Sequence, residues 1–203
     1  MADAFWTNGQ HADAVGVSSP TLRRVVSAVL ASLFALAAPP AATAAPPRCA
    51  DADLIPAQDN LPVIRDATLC LLNRERTSRG LRKLTSSPQL RRSAQSFSVA
   101  MVRQSFFDHV SPGGSTLLSR VRRGTDYLAG AGNYALGENI AWGSGHYATP
   151  SETVAGWMQS AGHRRNILDR RFRHIGIGIA IGAPADAQGM PAATYTTDFG
   201  FRT

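Results

Sequence analysis

Two kinds of hydrophobic spacing run along the chain, and they change over near its middle. Leu69, Leu72 and Arg76 recur at helical spacing with Leu71 beside them, so a helix is predicted from about Arg65 to Ser78, closed by Gly80. Ser87 followed by Pro88 reads as a cap and first helical position. Behind it Leu90, Ala94, Phe97 and Met101 form one face, with Arg91, Arg92 and Gln95 on the other. After the turn Pro112-Gly113-Gly114, Leu117, Leu118 and Val121 suggest a short third helix. Thr149-Pro150-Ser151-Glu152 has capping-box spacing and opens a helix burying Val154, Trp157, Met158 and Ala161. The period then drops to two. Ile175, Ile177, Ile179 and Ile181 alternate with Gly176, Gly178 and Ala180, and Ala193 to Gly200 reads as a final strand. A strand face made of glycine requires another layer to approach closely. Helices precede strands rather than alternating with them, which argues for an α+β fold with antiparallel pairing.

Upstream, the pattern is that of export. Arg23-Arg24 precede the apolar run Val25 to Ala38, and Ala42-Thr43-Ala44 supplies small residues for cleavage. Residues 1–44 are therefore expected to be a leader with a signal peptide. The run is too short for a permanent membrane span. Residues 45–64, rich in Pro, Ala and Asp, read as an extended lead-in, and 65–203 as one domain. Cys49 and Cys70 both survive cleavage, and an oxidising compartment makes a disulfide the expected state.

Composition narrows the function classes. Hydrophobic residues make up 44% and charged residues 17%, as in an ordinary globular protein. The net charge of +7 rests on twenty arginines and Lys83, with no basic run interleaved with aromatics, so no nucleic-acid partner is expected. Anionic lipids or cell-wall polymers are the more fitting electrostatic partners for an exported protein.

The chemistry sits in three phrases: Phe106-Phe107-Asp108-His109-Val110-Ser111-Pro112, Gly137-Glu138-Asn139-Ile140-Ala141, and Trp157 through Leu168 containing Gly162-His163-Arg164. Two imidazoles and a carboxylate suit a divalent cation such as zinc, and equally suit proton exchange with a bound substrate. Bland readings compete: His109 bonding a backbone carbonyl, His163 capping the end of the Trp157 helix after a break at Gly162, Asn166 forming a turn. Ser111 beside Pro112, without a G-x-S-x-G turn, makes a poor nucleophile.

These phrases, with Leu71-Leu72-Asn73-Arg74-Glu75-Arg76 and Phe172 to Gly178, resemble in content and order the CAP superfamily of cysteine-rich secretory, antigen 5 and pathogenesis-related proteins. The likeness is to the bacterial secreted, SCP-like branch and runs from about Ala67 to Phe201. It implies a three-layer α/β/α sandwich around a small, largely antiparallel central sheet, with a cleft holding His109, Glu138 and His163. It implies no settled activity. The family's eukaryotic branch carries a second glutamate shortly after the third phrase's tryptophan. Ser160 stands there in this chain, so one member of a two-His, two-Glu cluster is missing. The expectation is a secreted, monomeric module whose cleft binds a divalent cation, an envelope lipid, a cell-wall polymer or another small ligand. The alternative is a hydrolase of peptide or cell-wall bonds, and the sequence leaves the enzyme question open.

Overall fold

The isoleucine–glycine alternation organises the molecule. A computed structural model describes residues 48–203; the leader read at 1–44 lies outside the described residues. The helices are α1 (Leu61–Thr77), α2 (Pro88–Arg103), α3 (Leu117–Gly124), α4 (Pro150–Gln159) and α5 (Ala161–Leu168). The strands are β1 (Thr85–Ser86), β2 (Tyr134–Ser144), β3 (His174–Ile181) and β4 (Ala192–Arg202). They form one sheet of order β1-β3-β4-β2, antiparallel except for the parallel β1–β3 pair. Helices α2 and α3 cover one face, and α1, α4 and α5 the other. The expected three-layer α/β/α sandwich is the observed fold.

Each face of β3 meets the layer its side chains permit. Ile175, Ile177 and Ile179 are buried in the larger core with Leu71, Leu72, Trp157, Tyr195 and Phe199. On the reverse face the α2 backbone lies almost on the strand. A Cβ at Gly176 would collide with the Leu90 carbonyl, and one at Gly178 with the Ala94 carbonyl and the Gln95 nitrogen. Beyond the two-residue β1, the free edge of β3 is satisfied by Gln95. Its amide donates to the Ile179 carbonyl at 2.9 Å and accepts from the Ile179 N–H at 3.0 Å. Gln95, read from the sequence as a solvent-face residue, is thus a surrogate strand partner.

Other local expectations need adjustment. Helix α1 starts at Leu61, inside the segment read as extended lead-in, because Asn60 folds back before Pro62. The Asn60 side chain accepts from the Ala57 N–H and donates to the Ile55 carbonyl, leaving a preset φ in the first turn. The Thr149 hydroxyl caps α4 by accepting from the Glu152 N–H, as its spacing predicts. The Glu152 carboxylate instead faces His146 at 3.3 Å. Arg76 is fully buried and donates to the carbonyls of Arg82, Ile167, Asp169 and Phe172, satisfying the C-terminal end of α5. The Cys49–Cys70 disulfide is present, with Cα atoms 5.7 Å apart, and ties the entry segment to α1.

Replacing Gly178 with valine should cost at least about 1–3 kcal/mol, since the overlap is with helix backbone rather than a movable side chain. A denaturant midpoint measured at unchanged slope checks this, and parental stability would mean that α2 does not lie where described. Removing the disulfide by Cys49→Ala with Cys70→Ala should cost roughly 3 kcal/mol through unfolded-chain entropy, read as a loss in the same midpoint equal to that produced by reductant.

Candidate functional site

Glu138 lies on β2, the edge strand, directly across from Asp198 on β4. It points to the α2–α3 side, and its side chain is only 4% exposed. A carboxylate so buried needs partners for both oxygens, and it has them. Oε1 is 2.8 Å from His109 Nδ1, and Oε2 accepts from Arg120 Nη2 in a very short contact. His109 lies on the loop after α2 and is half exposed. With Nδ1–H donating to a carboxylate, the neutral imidazole presents Nε2 as a lone pair. Arg120 also donates to the backbone carbonyls of His109 and Ser115, so one guanidinium holds both the glutamate and the loop that carries the histidine. Its plane rests on the Phe97 ring, 3.4 Å from the centroid.

His163 lies on α5, in the opposite layer, near enough for His109 to act on its charge. Helix α4 ends at Gln159; Ser160 is extended, and α5 begins at Ala161, with Gly162 inside it. His163 is therefore in the first turn of a new helix, not at the end of the Trp157 helix. A histidinium is not favoured there as it would be at a C-terminus. Burial, and then the nearby His109, hold its pKa below the ordinary histidine range. Three hydrogen bonds fasten α5 to the strand. Asn166 donates to the Glu138 carbonyl at 3.0 Å and to Asn139 Oδ1 at 2.9 Å, and Asn139 donates to the His163 carbonyl at 3.1 Å. Asn166 is thus a helix-to-strand clamp rather than a turn former. Gly137 permits the approach, since a Cβ there would meet the Phe172 ring at 2.8 Å.

Two residues of the site escaped sequence reasoning. Arg120 shares a helical stripe with Leu117 and Val121, and a charge on the apolar face of an eight-residue helix was the available signal. Asp198 is fully buried. Burial and the Glu138 charge push its pKa well above the carboxylate range, with Ser93 as a compensating neighbour. The fold therefore favours its protonated form. The alternation of Ala192-Ala-Thr-Tyr-Thr-Thr-Asp-Phe-Gly sets it on the same face as Thr194 and Thr196, which was its signal. Ser111 builds a turn by accepting from the Ser115 N–H, consistent with its poor standing as a nucleophile.

The fit to zinc is incomplete. Both Glu138 oxygens are engaged, and among the described residues no group of three His, Cys, Asp or Glu side chains is arranged to hold a metal ion.

The family model for CAP, the cysteine-rich secretory protein family, matches residues 69–197, which span both site-bearing faces. The chain belongs to this family. The Bacillus subtilis (strain 168) protein YkwD is 41% identical over 109 residues, 53% of this chain and 39% of its own length. A solved extracellular protein containing an SCP domain, from Bacillus anthracis str. Ames, is 30% identical with a TM-score of 0.52, covering 70% of this chain and 40% of that one. An outer surface protein from Borrelia burgdorferi shares the fold at 15% identity and a TM-score of 0.55, covering 73% of this chain and 97% of that one. The chain therefore spans about two-fifths of the length of YkwD and of the B. anthracis protein. Among the described residues no helix is long and apolar enough to cross a membrane.

His163, half-buried, and Asp198, fully buried, set opposite pH slopes. His163, with its pKa lowered in the folded state, contributes stability that is full above the unfolded value near 6.5 and lost as pH falls below it. Asp198, with its pKa raised, contributes stability that is full below about 3.9 and lost as pH rises through its folded value. Asp198→Asn should remove that second loss, so the variant gains stability relative to the parent as pH rises from 4 toward neutral. Denaturant midpoints across that range check it; a pH-independent difference would mean that Asp198 is ionised in the fold.

Proposed function

We propose that this chain is an exported CAP-domain binding module, not an enzyme, whose cleft at His109, Glu138 and His163 receives a divalent cation or a small envelope ligand. The observation that carries the reading is the saturation of Glu138 by His109 and Arg120. A carboxylate with both oxygens committed orients the imidazole instead of meeting the ligand, which leaves His109 and His163 as the groups that touch what enters. Export rests on the leader pattern at 1–44, and the relative described as extracellular supports it.

A cation such as zinc would then be held by the two imidazoles, with Glu138 behind His109. Zinc titrated calorimetrically into the purified protein should bind, and His109→Ala or His163→Ala should abolish the heat. Glu138→Gln should weaken affinity about 10–100-fold, the usual effect of losing the carboxylate behind a ligating histidine. Affinity should fall as pH drops through the histidine range, because a protonated imidazole cannot ligate. Equal affinity in the parent and both histidine variants would refute the cleft as the binding site.

One observation favours hydrolysis as a second reading. A carboxylate–imidazole hydrogen bond with a free Nε2 is also the geometry of a general base acting on water. Turnover of a cell-wall or peptide substrate that disappears in His109→Ala, with zinc absent, would replace the binding reading with this one.

A further inference from the structure

An open groove of about 1060 Å³ crosses α2 from the first turn of α1 to α3, where it adjoins the His109 cleft through the shared residue Arg120. Arg65, Arg91, Arg92, Arg120 and Arg123 line it, and no Asp or Glu does. Two of the five are partly neutralised, Arg120 by Glu138 and Arg92 by Asp126 at 3.4 Å. Among the described residues Arg91 and Arg123 make no ion pair. Burial and then repulsion from Arg91 lower the pKa of Arg65, even with Asp66 adjacent. Cations gathered in a concavity without counter-charges focus a positive potential on whatever occupies it.

We propose that this groove docks a linear, phosphodiester-linked polyanion of polyol units. Its volume exceeds what one small anion needs and suits several repeats of a chain. The same lining carries Ser96, Ser119, Gln58 and Gln104, hydroxyls and amides suited to phosphate oxygens and polyol hydroxyls. Two other polyanionic surfaces fit less well. A membrane-docking face sets exposed apolar side chains beside its basic ones, and none of the exposed large hydrophobics lines the groove. Val63 is on the helix face of α1 opposite Leu61 and Arg65. Single-stranded nucleic acid requires aromatic platforms for its bases. Phe97, the sole aromatic in the lining, is buried and covered by Arg120.

The test titrates synthetic poly(glycerol phosphate) into the purified parent, into Arg91→Gln with Arg123→Gln, and into Arg165→Gln with Arg170→Gln. The last is a charge-matched control on exposed residues outside the groove. None of the four residues bonds His109, Glu138 or Arg120, so the variants leave the His109–Glu138–Arg120 contacts in place. The parent should bind with an affinity that falls as salt rises. The groove variant should lose at least about tenfold and show a shallower salt dependence, as fewer phosphates are neutralised. The control should match the parent. Equal losses in both double variants would reduce the effect to net charge and overturn the proposal. So would absence of binding by the parent at physiological salt. Arginine-dependent binding to phosphatidylglycerol vesicles, with the soluble polymer unbound, would make the groove a membrane face and overturn it equally.

Discussion

The contact on which the arrangement depends is that of the α2 backbone with the glycine face of β3. Because Gly176 and Gly178 carry no Cβ, α2 lies against the sheet rather than a side chain's length above it. Several features follow from that depth. Ser98 reaches the Gly178 carbonyl and the Thr196 hydroxyl, Ser93 comes beside Asp198, and Gln95 pairs with the free edge of β3. Phe97 becomes the floor on which Arg120 rests, and Arg120 holds Glu138. The site is thus referenced to the sheet through α2, not through the loop that bears His109.

The electrostatics form a chain of dependence. Two carboxyl groups opposite each other on neighbouring strands cannot both ionise cheaply in a buried setting. The fold gives Glu138 the partners Arg120 and His109, while burial next to Ser93 favours the protonated form of Asp198. A buried pair such as Arg120–Glu138 adds little net stability, yet losing one partner strands the other. Its value is geometric. The same guanidinium grips the His109 carbonyl, so one residue of α3 holds both the loop that carries the imidazole and the carboxylate that the imidazole meets.

Much of this was legible in the chain, and the misses share a physical cause. Helix α2, helix α4 and the close layer over the glycines could be read because each is announced locally, by Ser87-Pro88, by Thr149-Pro150 and by strict alternation. The family's phrases likewise marked His109 and Glu138, which do meet. Strand β2 was not read as a strand. Gly137, Glu138 and Asn139 spend its two faces on a close packing contact, a buried charge and a helix clamp, which erases the alternation. The break at Ser160 was misplaced to Gly162 because glycine is the usual signal of a helix end, whereas here an extended serine makes the corner. Arg120, Arg76 and Asp198 were missed because their roles are set by partners far away in sequence: Glu138, the end of α5, and the strand across the sheet. Periodicity reports burial, not what a buried charge will find.

The missing second glutamate of the family's cluster takes on a different meaning with these contacts in view. A second ionised carboxylate beside Glu138 would compete for Arg120 and raise the negative potential that a hard cation needs. Here the additional carboxyl comes from β4, at zero exposure where burial favours its protonated form, and the cation beside Glu138 belongs to the protein itself. Arg120 occupies the place in the charge balance that a bound divalent ion would otherwise fill. On the binding reading proposed above, the donor offered to a ligand is the His109 imidazole nitrogen rather than a carboxylate oxygen, a donor that suits softer ions and hydrogen-bonding ligands better than calcium-like ions.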